Sequence, residues 1–380
     1  MVTRRKLLIG SGLTAAALGG AYVMFRPPKV STGISLSDAE IADARAFLSK
    51  VFSIDVHAHP GRSFVANAEN LGASIKMYSI GGAFEQDTVA DMNAGGLTMA
   101  SFSTVSDFQV LGVGETGITS VREFEQGEAW KSYQTQMARL HEMLDQGLML
   151  SVLAPDDVAK VKARNQVAAF LTAEGGDFLE GSIEHLDEAY ADGLRCITIM
   201  HYHVNEIGDI QTAPAKHNGL TEFGRQLVKS MNQKGMLVDL AHASRDTAID
   251  AIEISDKPVM VSHCAIRGEG FDSPRFIDFD QAKLVAEGGG IIGAWPAGIG
   301  LSNLSDFVDQ IFRSIDLVGI DHVCLGTDMD ANYKPVFDNY RQLPILVGAL
   351  LKRGLSREEA SKFLGGNFMR VFREVTKTSP

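Results

Sequence analysis

Eight apolar runs, each short enough to be a strand, recur along this 380-residue chain, and helix-like stretches separate them. The runs begin near residues 51, 97, 168, 196, 236, 258, 290 and 323. Strands that alternate with helices argue for parallel βα units, and near-continuous apolar strands argue that both faces are covered. Eight such units predict an α/β chain closed into a (β/α)8 TIM-like barrel, with a doubly wound open sheet as the alternative topology. The later helices are expected at Ser182–Asp192, Leu220–Gln233 with Gly235 in the stop position, Arg245–Ile254, Phe279–Glu287 and Leu304–Val318, before three closing helices. Residues 60–95 are too long and irregular for a simple connection and read as a functional loop with short helices.

The barrel reading fixes where chemistry belongs, because such folds work at the C-terminal ends of their strands. The residues at those ends are His57 and His59, Glu174, His201, His242, His263 and Asp328. Histidine, glutamate and aspartate are poor core residues, so packing does not explain this series. His57 and His59 are one residue apart and share a face if the strand continues through them, which suits one divalent ion. Four or five ligands from the set would hold two metals a few ångströms apart, with a carboxylate such as Glu174 as the natural bridge. A hydroxide between two Lewis acids is a nucleophile at neutral pH.

Other features narrow the field. A net charge of −12 argues against a nucleic-acid groove or a polybasic membrane surface. Cys196, Cys264 and Cys324 lie in apolar runs and read as buried small hydrophobes. The segment Gly112-Val113-Gly114-Glu115-Thr116-Gly117 matches G-x-G-x-x-G but lacks a good strand before it, and Gly127 interrupts the helix after it. A flexible loop is the better reading than a dinucleotide site. At the N-terminus, Thr3-Arg4-Arg5-Lys6 precedes an apolar run to Phe25 and then Arg26-Pro27-Pro28. A paired arginine before a moderate apolar stretch resembles a twin-arginine export signal, retained as a membrane anchor or removed. Residues 1–28 are therefore assigned to a signal or anchor facing the bacterial periplasm, 29–50 to a linker and leading helix, and 51–376 to the barrel.

The motifs then resemble a known family. Ala173-Glu174-Gly175-Gly176, Ile197-Thr198-Ile199-Met200-His201 and Gly219-Leu220-Thr221-Glu222-Phe223-Gly224 look like the renal (membrane) dipeptidases. Asp239-Leu240-Ala241-His242, Pro258-Val259-Met260-Val261-Ser262-His263, Gly326-Thr327-Asp328-Met329-Asp330 and the closing Gly365-Gly366-Asn367-Phe368 extend the match in order. The resemblance implies an amidohydrolase-type barrel with two zinc ions that cleaves dipeptides, including those with a D-residue at the second position. His57 would bind the first zinc, Glu174 would bridge, and His242 and His263 would bind the second. His201 would steady the oxyanion of the substrate, Arg275 would grip its carboxylate with Arg267 as the rival, and Asp328 would shuttle the proton. The family usually has H-x-D where this chain has His57-Ala58-His59; the wider superfamily uses H-x-H, so His59 is retained as a metal ligand. The partners implied are a small peptide substrate, no nucleic acid, and a second copy of the chain. The alternatives are an amidohydrolase acting on another N-acyl amino acid or a lactone, and a non-catalytic metal-binding barrel.

Overall fold

The computed structural model describes residues 32–114, 117–164 and 166–377. The expected export segment, residues 1–28, lies outside them. Eight parallel strands neighbour one another around the sheet: β1 (Ile54–Asp55), β2 (Met99–Val105), β3 (Ala168–Glu174), β4 (Cys196–Thr198), β5 (Leu237–Asp239), β6 (Met260–Cys264), β7 (Ile291–Ala294) and β8 (Val323–Leu325), and a ninth, Leu150–Ser151, pairs parallel with β3 off this path. The ring meets itself between β8 and β1, where the Val56 N–H donates to the Leu325 carbonyl at 2.9 Å and Ala58 bridges Met329. The barrel, and not the open sheet, is therefore the architecture.

The longest pairing sets the position of the central carboxylate. β2 and β3 are in register over Met99–Val105 and Ala168–Glu174, which leaves Glu174 beside Val105 at the mouth. Both strands are buried along their whole length, as strands covered on both faces are. The lower interior is packed by Ile54, Met99, Phe170, Cys196, Met260 and Cys324, and the C-terminal helix Asn367–Thr376 plugs that end with Phe368 and Phe372. Both rings meet Phe170 edge-on with centroids 5.2 Å apart. The floor is thus sealed and the strand ends open only at the mouth. Two glycines, Gly293 in β7 and Gly326 just past β8, narrow the far wall: a Cβ on either would fall within 2 Å of the Ser262 carbonyl oxygen.

Local chemistry explains the helices. Ser37 and Glu40 form a reciprocal capping box at the start of Asp38–Leu48. Thr221 caps Glu222–Lys234, and Gly235 ends it in the left-handed conformation. Several expectations need correction. The first strand is only two residues long in its pairing with β2; beyond Asp55 the chain runs on along the last strand, with the Val56 N–H on the Leu325 carbonyl and the His59 N–H on the Met329 carbonyl, both at 2.9 Å. Residues 60–95 do contain short helices, Ala73–Ser79 and Glu85–Gly95. The G-x-G-x-x-G segment is neither a dinucleotide turn nor a plain loop. Leu111–Gly114 pairs antiparallel with Gly117–Ser120 in a ribbon over the mouth. The helix Asp157–Arg164 was not expected. All three cysteines are free and buried.

Candidate metal centre

The strand ends converge on one carboxylate. Glu174 Oε1 lies 3.2 Å from His57 Nε2, 3.1 Å from His242 Nε2 and 3.5 Å from His263 Nε2. Glu174 Oε2 lies 3.1 Å from His59 Nε2 and 3.3 Å from His201 Nε2. Asp328 Oδ1 stands 3.5 Å from His59 Nε2. All the ligand candidates expected from the strand ends are therefore brought together, and His59 points inward although β1 has already ended.

The donor set fits divalent metal. Ligands at zinc–nitrogen distances of about 2.0–2.1 Å in a tetrahedron stand about 3.3 Å apart, close to the separations here. The Nε2 atoms of His57 and His59 are buried yet have no hydrogen-bond partner, an arrangement that burial penalises unless a cation takes the lone pairs. His59 Nδ1–H donates to the Ser103 carbonyl at 3.2 Å, which leaves Nε2 as the free lone pair. His242 Nε2 and His263 Nε2 face each other at 3.0 Å, and one Arg275 nitrogen donates to them at 2.9 Å and 3.2 Å. Burial, then the Arg275 charge, holds His242 well below the usual imidazole range. Burial, then His57, does the same to His263. Both are thus neutral, the form that ligates.

Burial pushes the Glu174 carboxyl up, but His201 and His57 outweigh it and hold it well below the usual range. The reverse holds at Asp328, where burial and then the Glu174 charge lift it to about 6. His201 is raised to about 9: burial opposes protonation, and Asp107 followed by Glu174 overcomes it. Two residues of the centre have left-handed backbones, His242 at φ +65° and Asp328 at φ +55°. Non-glycine residues rarely adopt this conformation, and it is characteristic of over-determined functional positions. The Asp328 N–H is pinned to the His57 carbonyl at 2.8 Å, and the His242 carbonyl accepts from Gln211 N at 2.8 Å.

Buried aspartates behind the candidate ligands hold the ring of strand ends. Asp107 accepts from His201 Nδ1 at 2.6 Å and from Tyr202 N at 3.0 Å. Asp239 accepts from Ala241 N at 3.1 Å and from Ser262 N on β6 at 2.8 Å. Asp55 accepts from Thr327 N at 2.9 Å, His57 N at 3.3 Å, the Tyr340 hydroxyl at 2.9 Å and the Thr327 hydroxyl. Asp107 escaped the sequence reading; its only signal is an acidic residue two positions past the end of β2.

The remaining candidates separate cleanly. Arg275 is buried against the imidazoles and bonds Gln211, whereas Arg267 is half-exposed and donates to the Phe276 carbonyl. His203 is buried but pairs with Asp177 at 2.7 Å and Glu123 at 3.0 Å, outside the cluster. His217 is exposed, and its backbone N–H donates to Asp209. His141, His185 and His322 bond distant carbonyls. Trp295 packs with Ala265 and Phe276 and puts its ring edge-on to His263 at 5.8 Å.

A family model described as membrane dipeptidase (peptidase family M19) matches residues 42–380. The chain is 31% identical over 228 residues to dipeptidase tcpJ of Claviceps purpurea, covering 58% of this chain and 54% of that protein. It spans about half the length of the curated relatives it matches. Among solved structures, the probable dipeptidase PvdM from Pseudomonas aeruginosa superposes with a TM-score of 0.74 at 18% identity, over 90% of this chain and all of that one. A metallo peptidase from Rhodobacter sphaeroides, liganded with a phosphinate mimic of the dipeptide L-Ala-D-Ala, gives 0.72 at 19% identity, over 86% of this chain and 99% of that one.

Proposed function

The chain belongs to the membrane dipeptidase family, peptidase family M19, and from that premise we propose that it is a two-zinc dipeptidase. The observation that carries this reading is Glu174 with five imidazole nitrogens within 3.5 Å of its two oxygens. His57, His59 and Glu174 would hold the first metal, and Glu174, His242 and His263 would hold the second. When bound, the metals supply Lewis-acid activation of water and of the scissile carbonyl.

The chain's own residues supply the rest. Asp328, lifted to about 6 by burial, is poised to take the proton of the attacking water and return it to the leaving amine. His201, kept protonated by Asp107, presents Nε2–H to the developing oxyanion. Arg275 fixes the substrate carboxylate by paired hydrogen bonds, which limits the substrate to two residues in length. The Rhodobacter relative's bound L-Ala-D-Ala mimic supports acceptance of a D-residue at the second position. The arginine pair and apolar run of residues 4–25 support export to the periplasm with an N-terminal membrane anchor. A homodimer is part of the same proposal.

Metal analysis with a dipeptide screen tests this reading. Two metals per chain are expected, with hydrolysis of L,L and L,D dipeptides abolished by chelation and restored by zinc. Turnover that survives thorough chelation refutes it.

A further inference from the structure

Each barrel helix follows its strand, so helix N-termini lie at the mouth end of the barrel. One of them receives the start of the described chain: Ser305 N–H, in the first turn of Leu304–Val318, donates to the Thr32 carbonyl at 3.0 Å. The apolar run ends at Phe25, so only residues 26–31 separate it from this point. Six residues span at most about 20 Å, whereas a barrel domain of this length has a radius of gyration of about 20 Å and is more than twice that across. A bilayer holding the apolar run therefore lies against the mouth end or the flank beside it, and the sealed floor is out of reach.

The exposed apolar side chains show the same polarity. Among the described residues, every strongly exposed large hydrophobe except Leu153 belongs to a segment that leaves the barrel at its mouth. Val113 and Ile118 are cross-strand partners on the ribbon, 68% and 47% exposed. Val121 lies over Gly112 of that ribbon. Helix Ala73–Ser79 packs against the ribbon and carries Met77, 62% exposed, with Ile80 just beyond it at 79%. Tyr333 projects from the segment after β8. Beneath them, Phe64, Leu71, Ile75, Phe108 and Leu111 form a separate small core that stiffens this layer. Clustered exposed hydrophobes on a rigid rim mark an interaction surface, and a tyrosine among them suits a lipid interface.

We propose that this rim docks on the surface of the bilayer that holds the N-terminal run, so that the active-site mouth faces the lipid headgroups. The proposal rests on the anchor reading above. Its net charge of −12 matches a zwitterionic surface better than an anionic one.

The test uses the full chain in phosphatidylcholine vesicles. Single cysteines are introduced as Val113→Cys, Met77→Cys and Leu153→Cys and labelled with an environment-sensitive dye, the three native cysteines being buried. Doxyl-labelled lipid is expected to quench the Val113 and Met77 probes by about two-fold or more and to leave the Leu153 probe unchanged. In the Met77-labelled chain, Val113→Glu with Ile118→Glu should abolish that quenching while dipeptide hydrolysis in detergent is retained. Flotation is read in the same samples. A chain that floats with unquenched rim probes, or with equal quenching at Leu153, overturns the docking and leaves the anchor standing. A chain that does not float overturns both.

Discussion

Asp55→Asn tests how the barrel seam is held. Asp55 is fully buried, and burial pushes its carboxyl up to about 6 even though bonds from Thr327, Tyr340 and His57 pull the other way. Its folded value thus lies above its ordinary 3.8. A raised group contributes stability that is complete below the unfolded value and is lost as pH rises through the folded one. That interval, at about 1.4 kcal/mol per decade of proton affinity, amounts to about 3 kcal/mol. Asparagine has the same shape, keeps one oxygen for Thr327 N and His57 N, and offers its two amide hydrogens to hydroxyls that rotate to accept them. The variant carries no charge to desolvate, so its stability relative to the native chain should rise by about 3 kcal/mol between about pH 4 and pH 7. Asp55→Ala strands the buried donors instead and should cost roughly 3–5 kcal/mol throughout. Urea unfolding of the metal-free proteins across that range measures both. A pH-independent difference between Asp55→Asn and the native chain, or an alanine variant as stable as the asparagine one, refutes the reasoning.

Three further outcomes are expected. Asp107→Asn removes the charge that keeps His201 protonated and should lower kcat about 10–100-fold with KM and metal content little changed; metal loss in step with activity would make Asp107 merely structural. Arg275→Ala should raise KM for free dipeptides about 10–100-fold and matter little for C-terminally amidated ones, and equal losses on both would remove Arg275 from carboxylate recognition. Asp328→Asn should keep both metals and lose roughly 10²–10⁴-fold in kcat; turnover like the native chain's would show that another group moves the proton.

The barrel was legible because its strands are buried on both faces and read as short apolar runs, a signal that survives without neighbours. The candidate ligands stand out for the opposite reason: His242, His263 and Glu174 break those runs at the mouth, where apolar packing would favour something else. What escaped was tertiary. Asp107 lies 94 positions from His201, and nothing local to either residue announces the bond. His203 sits two positions from His201 but turns to Asp177, because the strand ends at Thr198 and alternation no longer governs direction. The ribbon of Leu111–Gly114 and Gly117–Ser120 hid behind its glycines, which suggested a loop; a Cβ on Gly112 would strike Val121 and one on Gly114 would crowd Thr119.

The seam between the first and last strands has a consequence for biosynthesis. Asp55 and Thr327 are 272 positions apart, so closing the ring costs about 5 kcal/mol of loop entropy that no local contact returns. A nascent chain emerging from the ribosome displays His57, His59, Glu174, His242 and His263 long before Thr327 and Asp328 appear. Until then the two histidines just past the first strand lack the seam, where the His59 N–H meets the Met329 carbonyl. A chain stalled or clipped before residue 327 therefore carries His57, His59, Glu174, His242 and His263 without the bond between Asp55 and Thr327 that ties the seam.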